Sequence, residues 1–112
     1  MTDAAGGGAG GPPSLQISDA PEQGRYEARL EGEDGPAAVV EYRLGSGWIA
    51  FLHTEVRADL EGRGVGGWVA AGVIEAARDR GLKVIPSCPF IAAWLARHPE
   101  HHDILLHPLE RR

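Results

Sequence analysis

The chain has 112 residues and a formal charge of −5, and its single cysteine, Cys88, allows neither an internal disulfide nor a cysteine-built zinc cluster. The acidic balance argues against a phosphate-tracking nucleic-acid binder, which needs a basic face. No apolar run approaches the roughly 20 residues that cross a bilayer, and the start lacks the basic and apolar regions of a signal peptide, so a cytoplasmic protein without a nucleic-acid or membrane partner is expected.

The opening MTDAAGGGAGGPPS, residues 1–14, is small, glycine-rich and non-periodic, and is read as a disordered tail. Residues 15–112 then make a single domain, since roughly 95 residues bury somewhat over 60% of their unfolded surface but are too few for two cores. LQIS is a candidate short strand. After Pro21 come GRYEARL, the turn EGEDGP, AAVVEYRL, the turn GSG, and WIAFLHTEV. Such runs, β-branched or aromatic and split by glycine turns, predict an antiparallel meander. The third is the most apolar and suits a central strand covered on both faces. Acidic residues crowd this half (Glu22, Glu27, Glu31, Glu33, Asp34, Glu41) and would attract a cationic acceptor, although solvated strand faces explain the same charges.

From Gly64 onward, Val65, Trp68, Val69, Gly72, Val73, Ala76 and Ala77 follow one helical face, and Gly81 stands where a C-terminal cap belongs. LKVI reads as a short buried strand. SCPFIAAWLARH reads as a second helix with Ser87 or Cys88 at its cap, Pro89 in its first turn and Pro99 beyond its end. Trp48, Trp68 and Trp94 are spaced as core residues.

Gly62, Gly64, Gly66 and Gly67 cluster just before the first helix, a place for positive φ or for something passing close to the backbone. A Walker loop would end in Lys and Ser or Thr, whereas Trp68 and Val69 follow Gly67. A dinucleotide fingerprint is formally present, but RADLEG separates it from the preceding strand and Ser87 stands where an acidic residue would be needed. The third reading is a pyrophosphate, such as coenzyme A carries, seated on the N–H groups of a helix start.

EGRGVG resembles the acyl-CoA-binding loop of the Gcn-five-related N-acetyltransferase (GNAT) superfamily, written Q/R-x-x-G-x-G/A. Gly64 and Gly66 match its glycines, and Glu61 stands where the family has Gln or Arg. Together with HTEV, the P-x-C-x-F segment and R-H-P, over about residues 15 to 107, the chain resembles the small YjdJ-type, cysteine-containing branch. The resemblance implies an α/β (α+β) GNAT-like acyl-CoA N-acyltransferase fold, a mostly antiparallel sheet with two helices, using acetyl-CoA to acetylate an amine, either a small molecule or a protein. It implies a cofactor site made by Thr54, Val56, Arg63, Gly64, Val65, Gly66 and Gly67, with the pantetheine on the exposed backbone of His53 to Val56. A non-catalytic CoA-binding module is the alternative.

Cys88, at a predicted helix N-terminus, is the candidate nucleophile or proton carrier, or else a buried small hydrophobe. His53 and Glu55 share a strand face; either is a candidate general base, and the other reading of His53 is a hydrogen-bonded structural histidine. Arg97 and Lys83 are candidate phosphate contacts. His98, His101, His102 and His107 have no familiar metal spacing, and no metal is expected.

Overall fold

The structure is a computed structural model describing residues 15–109; the predicted tail at 1–14 lies outside them. Five strands, β1 (Leu15–Ala20), β2 (Arg25–Leu30), β3 (Ala38–Gly45), β4 (Trp48–Val56) and β5 (Lys83–Pro86), lie side by side in sequence order. The pairings β1 to β4 are antiparallel, and β5 joins β4 in parallel after the crossover through helix α1, Val65–Asp79. Helix α2, Pro89–Ala96, follows, and a 3-10 stretch at Pro99–Ile104 brings the chain back so that Leu106 N–H donates to Val84 O at 2.9 Å. This is a mixed α+β architecture, a mostly antiparallel five-stranded sheet with two α-helices.

The meander forms as its alternation predicts. Tyr26, Ala28, Ala38, Val40, Tyr42, Ile49 and Phe51 turn to one face and form the core with Val69, Val73, Ile74 and Ala77 of α1. Helix α1 ends at Gly81, whose φ of 70° is the left-handed geometry that makes glycine the usual residue there. Its buried stripe is Val65, Val69, Ala70, Val73, Ile74 and Ala77, while Trp68, Gly72 and Ala76 of the expected face are half-buried. Trp48 is half-buried as well, packed over Gly45 across the hairpin, so among the three tryptophans Trp94 alone belongs to the core. The third run is covered on both faces along Ile49–Phe51 but opens beyond, and it is fourth in the sheet, with β3 at the centre.

Polar groups fasten the sheet at two places. Tyr42 OH donates to Asp19 Oδ1 at 2.6 Å, and burial with this neighbouring carboxylate pushes the Tyr42 phenol up to about 12. On the opposite sheet face the buried Glu27 accepts from Arg25 at 2.8 Å and from Arg29 at 2.6 Å, and these bonds hold its carboxyl below its ordinary 4.5.

Two outcomes follow. A carboxylate whose folded pKa is depressed stabilises the fold above its ordinary value and loses that contribution as pH falls through the folded value. Thermal melts of Glu27→Gln should therefore lose less stability than the parent between pH 5 and acid, about 1 to 3 pH units lower; equal acid sensitivity would remove Glu27 from that role. Gly72 lies against β1, and a Cβ there would meet Ile17 Cγ1 at 2.7 Å. Gly72→Ala should cost about 1–3 kcal/mol despite alanine's better helix propensity, and Ile17→Ala should relieve much of the clash in the double variant.

Candidate functional site

The site forms where β4 outruns β5. Their parallel pairing runs from Trp48↔Lys83 to Phe51↔Pro86 and stops, while β3 continues to pair with β4 as far as Ala38↔Val56. The edge of residues 52–56 that faced β5 is left open. The reason is in the sequence: Pro86 has no N–H to donate, and Pro89 pre-sets the first turn of α2, so the chain leaves the sheet. Cys88 closes the fork, its N–H donating to Phe51 O at 2.7 Å.

A bulge sets what faces the opening. Glu41 pairs with His53 and Tyr42 with Phe51, so Leu52 is an extra residue in β4. Beyond it, Thr54 and Val56 take the core-side phase, paired with Val40 and Ala38, and His53 and Glu55 turn to the other face. The two do meet, Nε2 to Oε2 at 3.0 Å, but their side chains are 53% and 70% exposed and neither lines the groove. The structure thus brings together Thr54, Val56 and the glycine loop and leaves His53 and Glu55 on the opposite side of the strand.

The groove holds about 390 Å³ and is lined by Thr54, Val56, Leu60, Glu61, the glycine loop, and Phe90, Trp94 and Arg97 of α2 and its cap. Its loop is anchored at the start. Arg57 binds Asp59 at 2.7 Å and Glu33 at 2.9 Å, holding Asp59 below the usual carboxylate range, and Leu60 is buried. Gly62 and Gly64 then adopt φ of 78° and 83°, which L side chains rarely take. The first α1 bond runs from Trp68 N–H to Gly64 O, so Val65, Gly66 and Gly67 N–H have no acceptor within the helix. These donors carry the positive end of the helix dipole and suit an anion.

Of the loop residues expected at the cofactor, Gly64, Gly66 and Gly67 line the groove. Val65 buries its side chain in the core and Arg63 is exposed outside the lining, so their contribution is restricted to the backbone or to a distant charge. Gly66 has a packing role too, because a Cβ would come within 2.7 Å of Phe90 Cζ. Arg97 lines the groove, whereas Lys83 is committed elsewhere, donating to Asp103 O at 2.8 Å.

Cys88 is the N-cap of α2 without a side-chain capping bond, and its sulfur meets Thr54 Oγ1 at 3.4 Å. Phe90 and Trp94, one wall of the groove, were not singled out as site residues from the sequence; they stand four residues apart and so share one face of α2. His98 stacks on Trp94 at 4.0 Å, while His101 meets Arg78 and His102 meets Leu95 O, so these histidines serve packing and hydrogen bonding. Among the described residues no helix is long and apolar enough to cross a membrane.

The GCN5-related N-acetyl-transferase family model matches residues 25–104. No curated protein matches the chain. Among solved structures, the NMR solution structure of a GCN5-like candidate N-acetyltransferase from Staphylococcus aureus is similar, with a TM-score of 0.64 and 30% identity over 89% of this chain and 95% of that one.

With Cys88 only 3% exposed, its alkylation requires opening of the fork. Iodoacetamide should label the native chain at least about tenfold more slowly than the urea-unfolded chain, a rate difference set by local opening. Equal rates by mass spectrometry would place the thiol at the surface.

Proposed function

This chain belongs to the GCN5-related N-acetyltransferase family, and from that premise we propose that it transfers an acetyl group from acetyl-CoA to an amine, carried by a small molecule or a protein. The observation that carries the reading is one continuous surface. It joins the open edge of β4, the left-handed Gly64, the unpaired N–H groups of the α1 start, and Arg97. These residues fit coenzyme A by chemistry: an amide-bearing pantetheine needs a strand edge to pair with, and a pyrophosphate needs donors and positive charge. When bound, acetyl-CoA supplies an activated thioester.

The roles follow residue by residue. The β4 backbone at 52–56 orients the pantetheine arm, with Thr54 and Val56 beneath it. Val65, Gly66 and Gly67 donate main-chain N–H groups, and Phe90 and Trp94 keep water from one side. Cys88 lies at the end where β4 and β5 part, next to Thr54, and holds the proton chemistry of the site. The segment Pro86–Phe90 with Arg97-His98-Pro99 supports assignment to the YjdJ-type, cysteine-containing branch. An unpaired cysteine suits the cytoplasm, where thiols stay reduced.

A second reading, a CoA-binding module without turnover, has one observation in its favour: His53 and Glu55, the expected bases, turn away from the groove, which leaves Glu61 as the carboxylate in its lining. Release of free CoA with a panel of amines separates the two.

Coenzyme A at a hundredfold excess over its Kd should stabilise the fold by about 2.7 kcal/mol and raise the melting temperature. Gly64→Val should abolish that ligand-induced rise while circular dichroism still reports a folded chain; NADH should give none. No rise at millimolar CoA would remove the cofactor from this groove. His53→Ala and Glu55→Gln should leave the rise unchanged.

A further inference from the structure

We propose that Thr54 is the proton conduit of the site: its hydroxyl connects the buried Cys88 thiol with the groove, and passes a proton between that sulfur and the group held there. The inference rests on the groove being the thioester site and deepens that reading. Three observations carry it. Thr54 is half-buried and lines the groove, whereas Cys88 is buried and is not part of the lining. Thr54 Oγ1 and Cys88 Sγ are 3.4 Å apart, and either can donate. The Leu52 bulge gives Thr54 the phase that turns it toward this sulfur, and the Cys88 N–H bond to Phe51 O fixes the cysteine backbone opposite it.

A hydroxyl is one donor and also an acceptor, so it can give a proton on one side while receiving one on the other. As the amine nitrogen forms its bond to the acetyl carbon and the carbon–sulfur bond breaks, Thr54 gives its hydroxyl proton to the departing sulfur and takes the Cys88 proton. The hydroxyl ends uncharged. The Cys88 thiolate, now accepting a hydrogen bond from Thr54, regains a proton from the one shed by the attacking nitrogen, through the same hydroxyl. Atoms and charge balance: the amine loses one proton, the thiolate gains one, and Cys88 and Thr54 return to their starting forms. Thr54 touches the reacting groups in this step, and Cys88 acts through it.

The test compares Thr54→Val, which keeps the shape and removes the hydroxyl, with Thr54→Ser, which keeps the hydroxyl. Thr54→Val keeps the shape of the side chain beneath the pantetheine, so its loss should fall mainly on turnover and much less on the CoA-induced rise in melting temperature or on KM for acetyl-CoA. Its turnover should fall at least about tenfold, within the range of lost general acid catalysis, and Thr54→Ser should recover most of it. A second readout needs no turnover: Cys88 alkylation by iodoacetamide at fixed pH should speed up about threefold or more in Thr54→Val, since the bond that holds the thiol in the closed fork is lost, and return to the parent rate in Thr54→Ser. Cys88→Ala should make Thr54→Val silent on turnover, the mark of two residues acting as one unit. The proposal is overturned if Thr54→Val matches the parent in both readouts, or if Thr54→Ser is as impaired as Thr54→Val. If the parent releases no CoA with any amine, the transferase reading falls; alkylation unchanged by Thr54→Val would then overturn the coupling as well, whereas faster alkylation supports it.

Discussion

One extra residue in one strand decides what this groove holds. Were β4 to run through Leu52 without a bulge, the alternation that buries Ile49 and Phe51 would carry His53 and Glu55 into the core side and put Thr54 on the opposite face. With it, two β4 residues oppose one on β3, the phase reverses, and a hydroxyl is brought beside Cys88 in place of an ion pair. Placing His53 and Glu55 under the helices would require desolvating a carboxylate, which costs several kcal/mol per ion unless fully compensated. The bulge avoids that penalty by leaving the pair in water.

The fork between β4 and β5 depends on this same stretch. A parallel pair ordinarily gains a hydrogen bond at every step, so a strand that leaves its neighbour must have a reason to do so. Pro86 removes one donor, Pro89 commits the following residues to helix, and Cys88 satisfies the last β4 carbonyl, Phe51 O, before the gap. The open edge beyond is unsatisfied within the sheet. Because exposed edges invite wrong pairing, its position under Phe90 and Trp94, facing a narrow groove, also restricts what can add to it.

The sequence told much of this through period and punctuation. Helix α1 and the meander were legible because each repeats its signal over many residues: the stripe from Val65 to Ala77, the alternation in Arg25–Leu30, and Gly81 at its end. The glycine loop was legible because Gly62 and Gly64 do adopt positive φ. Two things were not. The Leu52 bulge leaves no mark in β4, where the polar run His53, Thr54, Glu55 that follows Leu52 has no alternation of its own, so the facing of His53 and Glu55 could not be read. The groove wall of Phe90 and Trp94 depends on how α2 crosses the start of α1, seen in the 2.7 Å approach of Phe90 to a Cβ at Gly66, and no pattern within one helix reports that crossing. Gly72 reads in the sequence only as one position of a helical face, yet a Cβ there would meet Ile17 of β1 at 2.7 Å.

The distribution of local irregularity argues for a single site. In a well-satisfied domain, helix ends are capped, strand edges paired and large aromatics buried, and departures tend to collect where function requires them. Here α1 begins at a left-handed glycine with three N–H groups lacking helical acceptors, β4 carries an open edge, and Phe90 is 38% exposed. All of these border one groove. Away from it, Glu27 is matched by two arginines, Tyr42 by Asp19 and Arg78 by Asp103. The loop that bears the free N–H groups is itself restrained by the Arg57 clamp and by buried Leu60. A ligand therefore meets donors already in place, and the ordering of these groups is provided by folding rather than drawn from the binding energy.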